Sequence, residues 1–241
     1  MAKHKQEDDV LLAIAQRENL RLRRVLDETH KLSVERGREF QRQKAEMDAL
    51  IWRLQGESEA NYFVARRDPL TGLANRLLFN ERLGFAMDSA SRHNDRRSRE
   101  QHRLVALLYV DLDGFKEVND DVGHHAGDAV LVAVGERIKK EARSTDTPAR
   151  LGGDEFALIV PEVEKGNEGG VVYLAQRVLR SINEPIVMTG SRKVVVGVSV
   201  GISFCNGFCS PENFIRAADE QSRGAKSSGK NRIFVKPYPC G

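Results

Sequence analysis

The sequence predicts an α/β (α+β-like) fold: a mixed central β-sheet flanked by helices and preceded by a long N-terminal helix. Three observations carry that expectation. Apolar, β-branched runs of strand length alternate with segments of helical period from residue 68 onward. Two of the strand runs are followed by glycine-bearing turns and a second run, so hairpins put antiparallel pairs into the sheet. Residues 9 to about 60 contain no proline and only Gly37 before Gly56, and are rich in Glu, Arg, Lys, Gln and Leu, the composition of a long helix. The domain boundaries that follow are 1–66 for a helical stalk and 67–237 for the folded domain.

Composition narrows the function classes. A chain of 241 residues has room for one ordinary domain and an appendage. With a net charge of +3 it is too balanced for a dedicated nucleic-acid binder. The longest apolar run, residues 104–110, falls far short of the ~20 residues a membrane span needs. The first nine residues hold no apolar signal core. Three cysteines are an odd number with no secretion signal, so Cys205, Cys209 and Cys240 read as ordinary thiols in a reducing cytoplasm.

Within the stalk, taking Leu12 as heptad position a gives Asn19, Leu26, Ser33, Phe40, Met47 and Leu54 at the same position, so five of the seven are apolar. Position d is interrupted by Thr29, Arg36 and Gln43. A helix this polar does not fold alone, and its period suits a parallel coiled coil that is weak in its middle. The competing reading is a solvated helix packed on its own domain. The stalk is too short for a globular sensor, so control is expected from assembly or from a separate regulatory protein gripping the helix.

Pro69 pushes Asp68 out of helical geometry and ends that helix. Residues 77–90 then resume an amphipathic helix. Residues 91–103 hold five arginines and two histidines without aromatic interleaving, which reads as a solvated loop more readily than as a phosphate patch. Residues 104–110 form a near-continuous apolar run, fit for a strand covered on both faces. It ends in Asp111-Leu112-Asp113, with both acids on one face by strand periodicity. A short helix starts at Lys116, residues 123–127 interrupt it, and Asp128 caps the next helix, which buries Val130, Leu131, Val134 and Ile138.

The stretch Arg150-Leu151-Gly152-Gly153-Asp154-Glu155-Phe156 reads as a hairpin turn entering a strand. Gly152 and Gly153 supply the positive φ of a tight turn and leave the backbone open to a bulky ligand. Two acids at the tip of a rigid strand pair are poor for stability and good for a hard divalent cation that arrives with phosphates. A polar cap on a hairpin is the bland alternative. Residues 161–170 follow as a loop, 171–183 as a helix, then a second hairpin of 186–188 with 193–204, a helix over 211–226 and a closing strand over 233–235.

The pentad from Gly152 to Phe156 resembles the signature of the GGDEF family, the diguanylate cyclases. Asp68-Pro69-Leu70-Thr71-Gly72-Leu73-Ala74-Asn75-Arg76 is similar to that family's D-x-L-T-G-L-x-N-R segment at every specified position. The resemblance runs from about Asp68 to Val235 and implies a palm-like nucleotide-cyclase fold. It implies that Asp111 and Asp154, with the Leu112 carbonyl, bind two Mg²⁺ ions, Mn²⁺ being the alternative. It further implies that Asn119 and Asp128 read guanine, that His124 lies in the substrate site, and that Phe115 and Lys116 bring backbone amides to the phosphates. Lys226 would neutralise triphosphate charge, helped by Lys230 where an arginine is more usual. Asp154 and Glu155 would be the catalytic pair, organising the metal site, with either one taking a proton. Arg143 and Asp146, an R-x-x-D just upstream of the signature, match the family's inhibitory product site.

The implied reaction joins two GTP into cyclic di-GMP with release of two pyrophosphates, by a homodimer or higher oligomer paired through the stalk. A non-catalytic receptor for GTP or cyclic di-GMP is the alternative; the intact signature favours the enzyme. One segment departs from the family pattern. Gln221, Ser222 and Arg223 stand where an apolar trio is usual, which predicts a loosely held last helix or one that meets another chain.

Overall fold

The computed structural model describes residues 17–24, 26, 29–32, 35–36, 38–50, 52, 64–95, 102–188 and 193–236. The chain divides into two units, Met1–Tyr62 and Phe63–Gly241. In the first unit every described residue is helical. Its seam residues Leu22, Leu26, Phe40 and Met47 are 56–66% exposed within the single chain. Seam positions 12, 15, 33 and 54 lie outside the described residues, as do Arg96, Arg97, Arg99 and Cys240.

The second unit is a mixed five-stranded sheet with helices on both faces. Its elements are α1 (Arg76–Asn94), β1 (Arg103–Asp113), α2 (Phe115–Val122), α3 (His124–Glu141), β2 (Thr147–Gly152), β3 (Glu155–Glu164), α4 (Glu168–Asn183), β4 (Ile186–Val187), β5 (Lys193–Val194), β6 (Gly197–Cys205), α5 (Pro211–Ser227) and β7 (Ile233–Lys236). The main sheet has strand order β2-β3-β1-β6-β7. β1 is antiparallel to both β3 and β6, and β7 joins β6 in parallel. Alternate residues of β1 therefore serve two cores. Leu104, Ala106, Leu108 and Val110 pack with α3 and α4 residues such as Val130, Val134 and Val178. Val105, Leu107 and Tyr109 pack with Phe79, Leu83 and Phe214 from α1 and α5.

Several boundaries differ from the expectation, each for a local reason. α1 extends to Asn94, because the buried Asn94 amide donates to the Arg103 and Asn206 carbonyls and accepts the Arg103 N–H. Gly123 alone, at φ 95°, separates α2 from α3, so Asp128 lies inside α3 instead of capping it. β3 continues past Pro161 to Glu164, since Val163 pairs with Leu104 across a bulge that accommodates the proline. The run 193–204 is two strands: β5 makes a small pair with β4, and β6 enters the main sheet from Gly197. The turn residues 189–191 lie outside the described residues.

The last helix is held closely. On its α5 side β6 presents Ser199, Gly201, Ser203 and Cys205. A Cβ on Gly201 would stand 2.1 Å from the Ala218 carbonyl oxygen and 2.3 Å from the Ser222 nitrogen. Ser222 is buried and its hydroxyl donates to the Ser199 carbonyl, 3.1 Å away. A larger side chain could not enter there, so Ser222 fits this helix to a strand of small residues. Gly224 likewise makes room for the Phe234 ring, 2.9 Å from where its Cβ would be. Cys205 and Cys209, expected to be ordinary thiols, are disulfide-bonded, with Cα atoms 6.7 Å apart across the turn at Gly207. Among the described residues no helix is long and apolar enough to cross a membrane.

Gly201→Ala is expected to destabilise the domain by about 2–3 kcal/mol, because backbone on both sides must shift. Gly84→Ala, on α1 where an added Cβ meets nothing within 4 Å, should instead stabilise it by about 0.5–1 kcal/mol. Chemical denaturation of the two variants beside the parent checks both signs.

Candidate active site

β1 and β3 end together, and that register builds the site. Asp111 lies opposite Glu155, and the two-residue turn Gly153–Asp154 closes the hairpin between β2 and β3. Gly152 and Gly153 take φ of 144° and 53°, the positive values expected of them, with open space where a Cβ would be. The Leu112 N–H donates to the Asp154 carbonyl at 3.3 Å, tying the turn to β1. Asp111, Asp154 and Glu155 are thus gathered at one end of the sheet.

Burial raises the Asp111 pKa, and the negative charges of Asp154 and Glu155 add to that. The Lys226 ammonium, 2.6 Å from Asp111 Oδ1, opposes the rise without cancelling it. Arg76 approaches Glu155 at 3.9 Å. Tyr109 also faces this cluster, and burial first, then the charge of the Glu155 carboxylate, raises its pKa. Crowded carboxylates, one already in contact with a cation, form a donor set suited to a hard divalent ion. Among the described residues no three His, Cys, Asp or Glu side chains converge to enclose an ion. The remaining ligands would come from phosphate and water, the usual arrangement for Mg²⁺.

The segment from Asp68 to Arg76 holds the signature turn in place. Arg150 donates to both Asp68 oxygens at 3.2 Å and to the Gly153 carbonyl at 3.1 and 2.8 Å. Asp68 also accepts from the Thr71 N–H and hydroxyl at 2.9 and 2.7 Å. Burial would raise the Asp68 pKa, but these bonds outweigh it and hold the carboxyl below its ordinary value. Arg76 donates to the Leu151 carbonyl. The Ala74 N–H bonds the Pro148 carbonyl, and the Arg150 N–H bonds the Ala74 carbonyl.

The other expected site residues are distributed around this cluster. Asn119 on α2 lies against Gly127, where a Cβ would be 1.9 Å from Asn119 Oδ1 and 3.3 Å from the Phe115 ring. Gly127 therefore lets α2 and α3 close over that amide. Lys116, His124 and Asp128 are exposed, and no hydrogen bond or ion pair joins them to the carboxylates. Lys230 is exposed in a turn where Lys230 and Asn231 have φ of 59° and 47°.

Arg143 and Asp146 meet through backbone: the Asp146 carboxylate accepts the Arg143 N–H at 2.8 Å. Burial raises the Asp146 pKa against that bond. The Arg143 side chain is exposed, and the residue lines a cavity of about 430 Å³ with Arg67, Arg82 and Lys139. It also lines a second cavity, of about 500 Å³, with Arg177 and Tyr173. Neither cavity is lined by Asp111, Asp154 or Glu155.

Asp68, Arg76 and Arg150 support the site, and sequence reasoning gave none of them that role. The Asp68-x-x-Thr71 spacing, which lets a carboxylate accept the N–H and hydroxyl three residues on, was a usable signal. The pairing of Asp68 with Arg150, 82 residues apart, carried no signal in a single sequence.

A family profile described as "Diguanylate cyclase, GGDEF domain" matches residues 65–232. Diguanylate cyclase TpbB of Pseudomonas aeruginosa is 37% identical over 167 residues, covering 69% of this chain and 36% of that protein. The chain thus spans about a third of that curated relative's length. The coiled coil and GGDEF domain of DgcB from Caulobacter crescentus, solved with c-di-GMP, matches with TM-score 0.74 and 26% identity over 82% of this chain and 99% of that one. Diguanylate cyclase SiaD from Pseudomonas aeruginosa, solved with its activator SiaC, matches with TM-score 0.66 and 28% identity over 97% of this chain and 83% of that one.

The lowered Asp68 pKa sets a sign for acid stability. Its contribution is present above the unfolded pKa of about 3.9 and is lost as pH falls through the lower folded value. Asp68→Asn should therefore be less stable than the parent at pH 6 by about 1–3 kcal/mol. That gap should shrink below about pH 4 as the parent's carboxyl protonates. Thermal midpoints of both proteins from pH 6 to pH 3 check it.

Proposed function

This chain belongs to the GGDEF family of diguanylate cyclase domains, and from that premise we propose that it condenses two GTP into cyclic di-GMP and two pyrophosphates. The observation that carries the reading is the register that places Asp111 opposite Glu155, next to Asp154, at one end of β1 and β3, with Lys226 on Asp111. Such a cluster suits a substrate that brings its own phosphates and cations.

In this reading Asp111, Asp154 and the Leu112 carbonyl hold Mg²⁺, or Mn²⁺ in its place. Bound metal lowers the pKa of the attacking hydroxyl and offsets charge on the leaving pyrophosphate. Asn119 and Asp128 recognise guanine, because an amide and a carboxylate together match the acceptor and donor atoms of its edge. His124 and the backbone of Phe115, Lys116, Gly152 and Gly153 line the nucleotide, and Lys226 and Lys230 bind the triphosphate. The 3′-hydroxyl of one GTP attacks the α-phosphorus of the other, forming a phosphodiester as the bond to pyrophosphate breaks. Asp154 or Glu155 accepts the hydroxyl proton. Each domain carries one GTP, so two copies must face each other.

The stalk would supply that pairing by raising the effective concentration of the second domain. The exposed apolar residues on the seam of the described helix support a homodimer or higher oligomer. SiaD, which this chain resembles over nearly its whole length, was solved with an activator protein, and we assign this stalk a separate regulatory partner as well. Use of GTP puts the reaction in the cytoplasm. The basic cavity around Arg143 and Asp146 suits the two phosphates of the product, so cyclic di-GMP would inhibit its own synthesis there.

The parent protein, incubated with GTP and Mg²⁺, should yield cyclic di-GMP and pyrophosphate by chromatography. Asp111→Ala and Asp154→Ala should each lower the rate at least a hundredfold with unchanged circular dichroism. Synthesis near the parent rate in both would overturn the metal assignment.

Arg143→Ala should raise the concentration of cyclic di-GMP needed for half-inhibition about tenfold or more, since it removes a charge-assisted contact to phosphate. Dose-response curves with added product measure it.

A further inference from the structure

The two acids that end β1 have different surroundings. Asp111 faces the Lys226 ammonium, whereas the Asp113 carboxylate is 8% exposed and is held by uncharged donors. Its Oδ1 accepts the Ser199 hydroxyl at 2.9 Å, and its Oδ2 accepts that hydroxyl at 3.1 Å and the Asn231 N–H at 2.9 Å. β6 closes over it at Gly197, where a Cβ would be 3.3 Å from Asp113 Cβ and Oδ2.

Asn231 belongs to an unusual turn. Gly229, Lys230 and Asn231 have successive φ of 112°, 59° and 47°. Consecutive positive values at non-glycine residues persist only where the surroundings over-determine them. Here the Lys230 N–H bonds the Ala225 carbonyl at 3.0 Å, and the Asn183 amide donates to Asn231 Oδ1 at 2.8 Å. Asp113 adds a carboxylate contact, on the backbone next to Lys230. The same turn follows directly on the end of α5 that carries Lys226.

We propose that Asp113 is a positioning residue: by gripping the Asn231 backbone it fixes the turn that presents Lys230, with Lys226, to the triphosphate, and it is not a metal ligand. The proposal rests on the reading of the site as a GTP site. β1 then uses its two acids for two tasks, Asp111 for cations and Asp113 for the chain segment that carries them.

The test is equilibrium binding to the full chain of a nonhydrolysable GTP analogue and, separately, of GMP, with Mg²⁺ titrated. Asp113→Asn keeps an acceptor oxygen for the Asn231 N–H. It should bind the analogue within about threefold of the parent, with the same Mg²⁺ half-saturation. Asp113→Ala loses the grip and should weaken the triphosphate analogue about tenfold at saturating Mg²⁺, while GMP affinity stays that of the parent. Equal losses for the analogue and GMP would reduce Asp113 to a general structural role and overturn the proposal. So would parent-like analogue binding by Asp113→Ala. If Asp113→Ala does not fold, Asp113→Asn alone decides, because a large rise in its Mg²⁺ half-saturation would make Asp113 a ligand. A parent protein that binds no analogue overturns the GTP-site reading, and the proposal falls with it.

Discussion

The antiparallel register of β1 against β3 decides where the acidic residues of this domain fall. It sets Asp111 opposite Glu155 and brings Asp154 to the same end of the sheet. Like charges brought together there repel, at a cost to the domain's small net stability. The surrounding structure answers that repulsion. Lys226 reaches Asp111 from α5, and Arg76 approaches Glu155 from α1. A bound divalent cation would relieve what these groups leave.

Holding those partners requires close approach, and small residues provide it. Gly201 and Ser222 let α5 lie nearly against the β6 backbone, which brings Lys226 within reach of Asp111. Gly127 lets Asn119 lie between α2 and α3. The substitution of an apolar trio by Gln221, Ser222 and Arg223 is therefore compatible with a tightly seated helix. Ser222 fills the buried position, and Arg223 turns outward to pair with Asp219. Of the two expectations for this helix, a loose edge or a contact with another chain, the first came from reading the helix without the strand beneath it.

Much of this was legible in the sequence, and what was not has physical reasons. The buried strand over 104–110, the glycine turn before Asp154 and the mixed sheet follow from local pattern and turn chemistry. Pro161 concealed the end of β3, because a proline at a bulge looks like the start of a loop. The break between β5 and β6 falls among apolar valines, where period gives no warning. Cys205 and Cys209 meet only because the turn at Gly207 folds one back on the other. The link from Asp68 through Arg150 to Gly153 spans distant segments, and only the folded chain brings them together.

In the proposed function the carboxylates at the end of β1 and β3 form half of a metal site that GTP completes. Calorimetric titration of a nonhydrolysable GTP analogue into the full chain, with and without Mg²⁺, tests it most directly. Mg²⁺ should tighten analogue binding at least tenfold, and Asp111→Asn should abolish the gain. Binding that is equally tight without the metal, or a metal effect that survives Asp111→Asn, would contradict it.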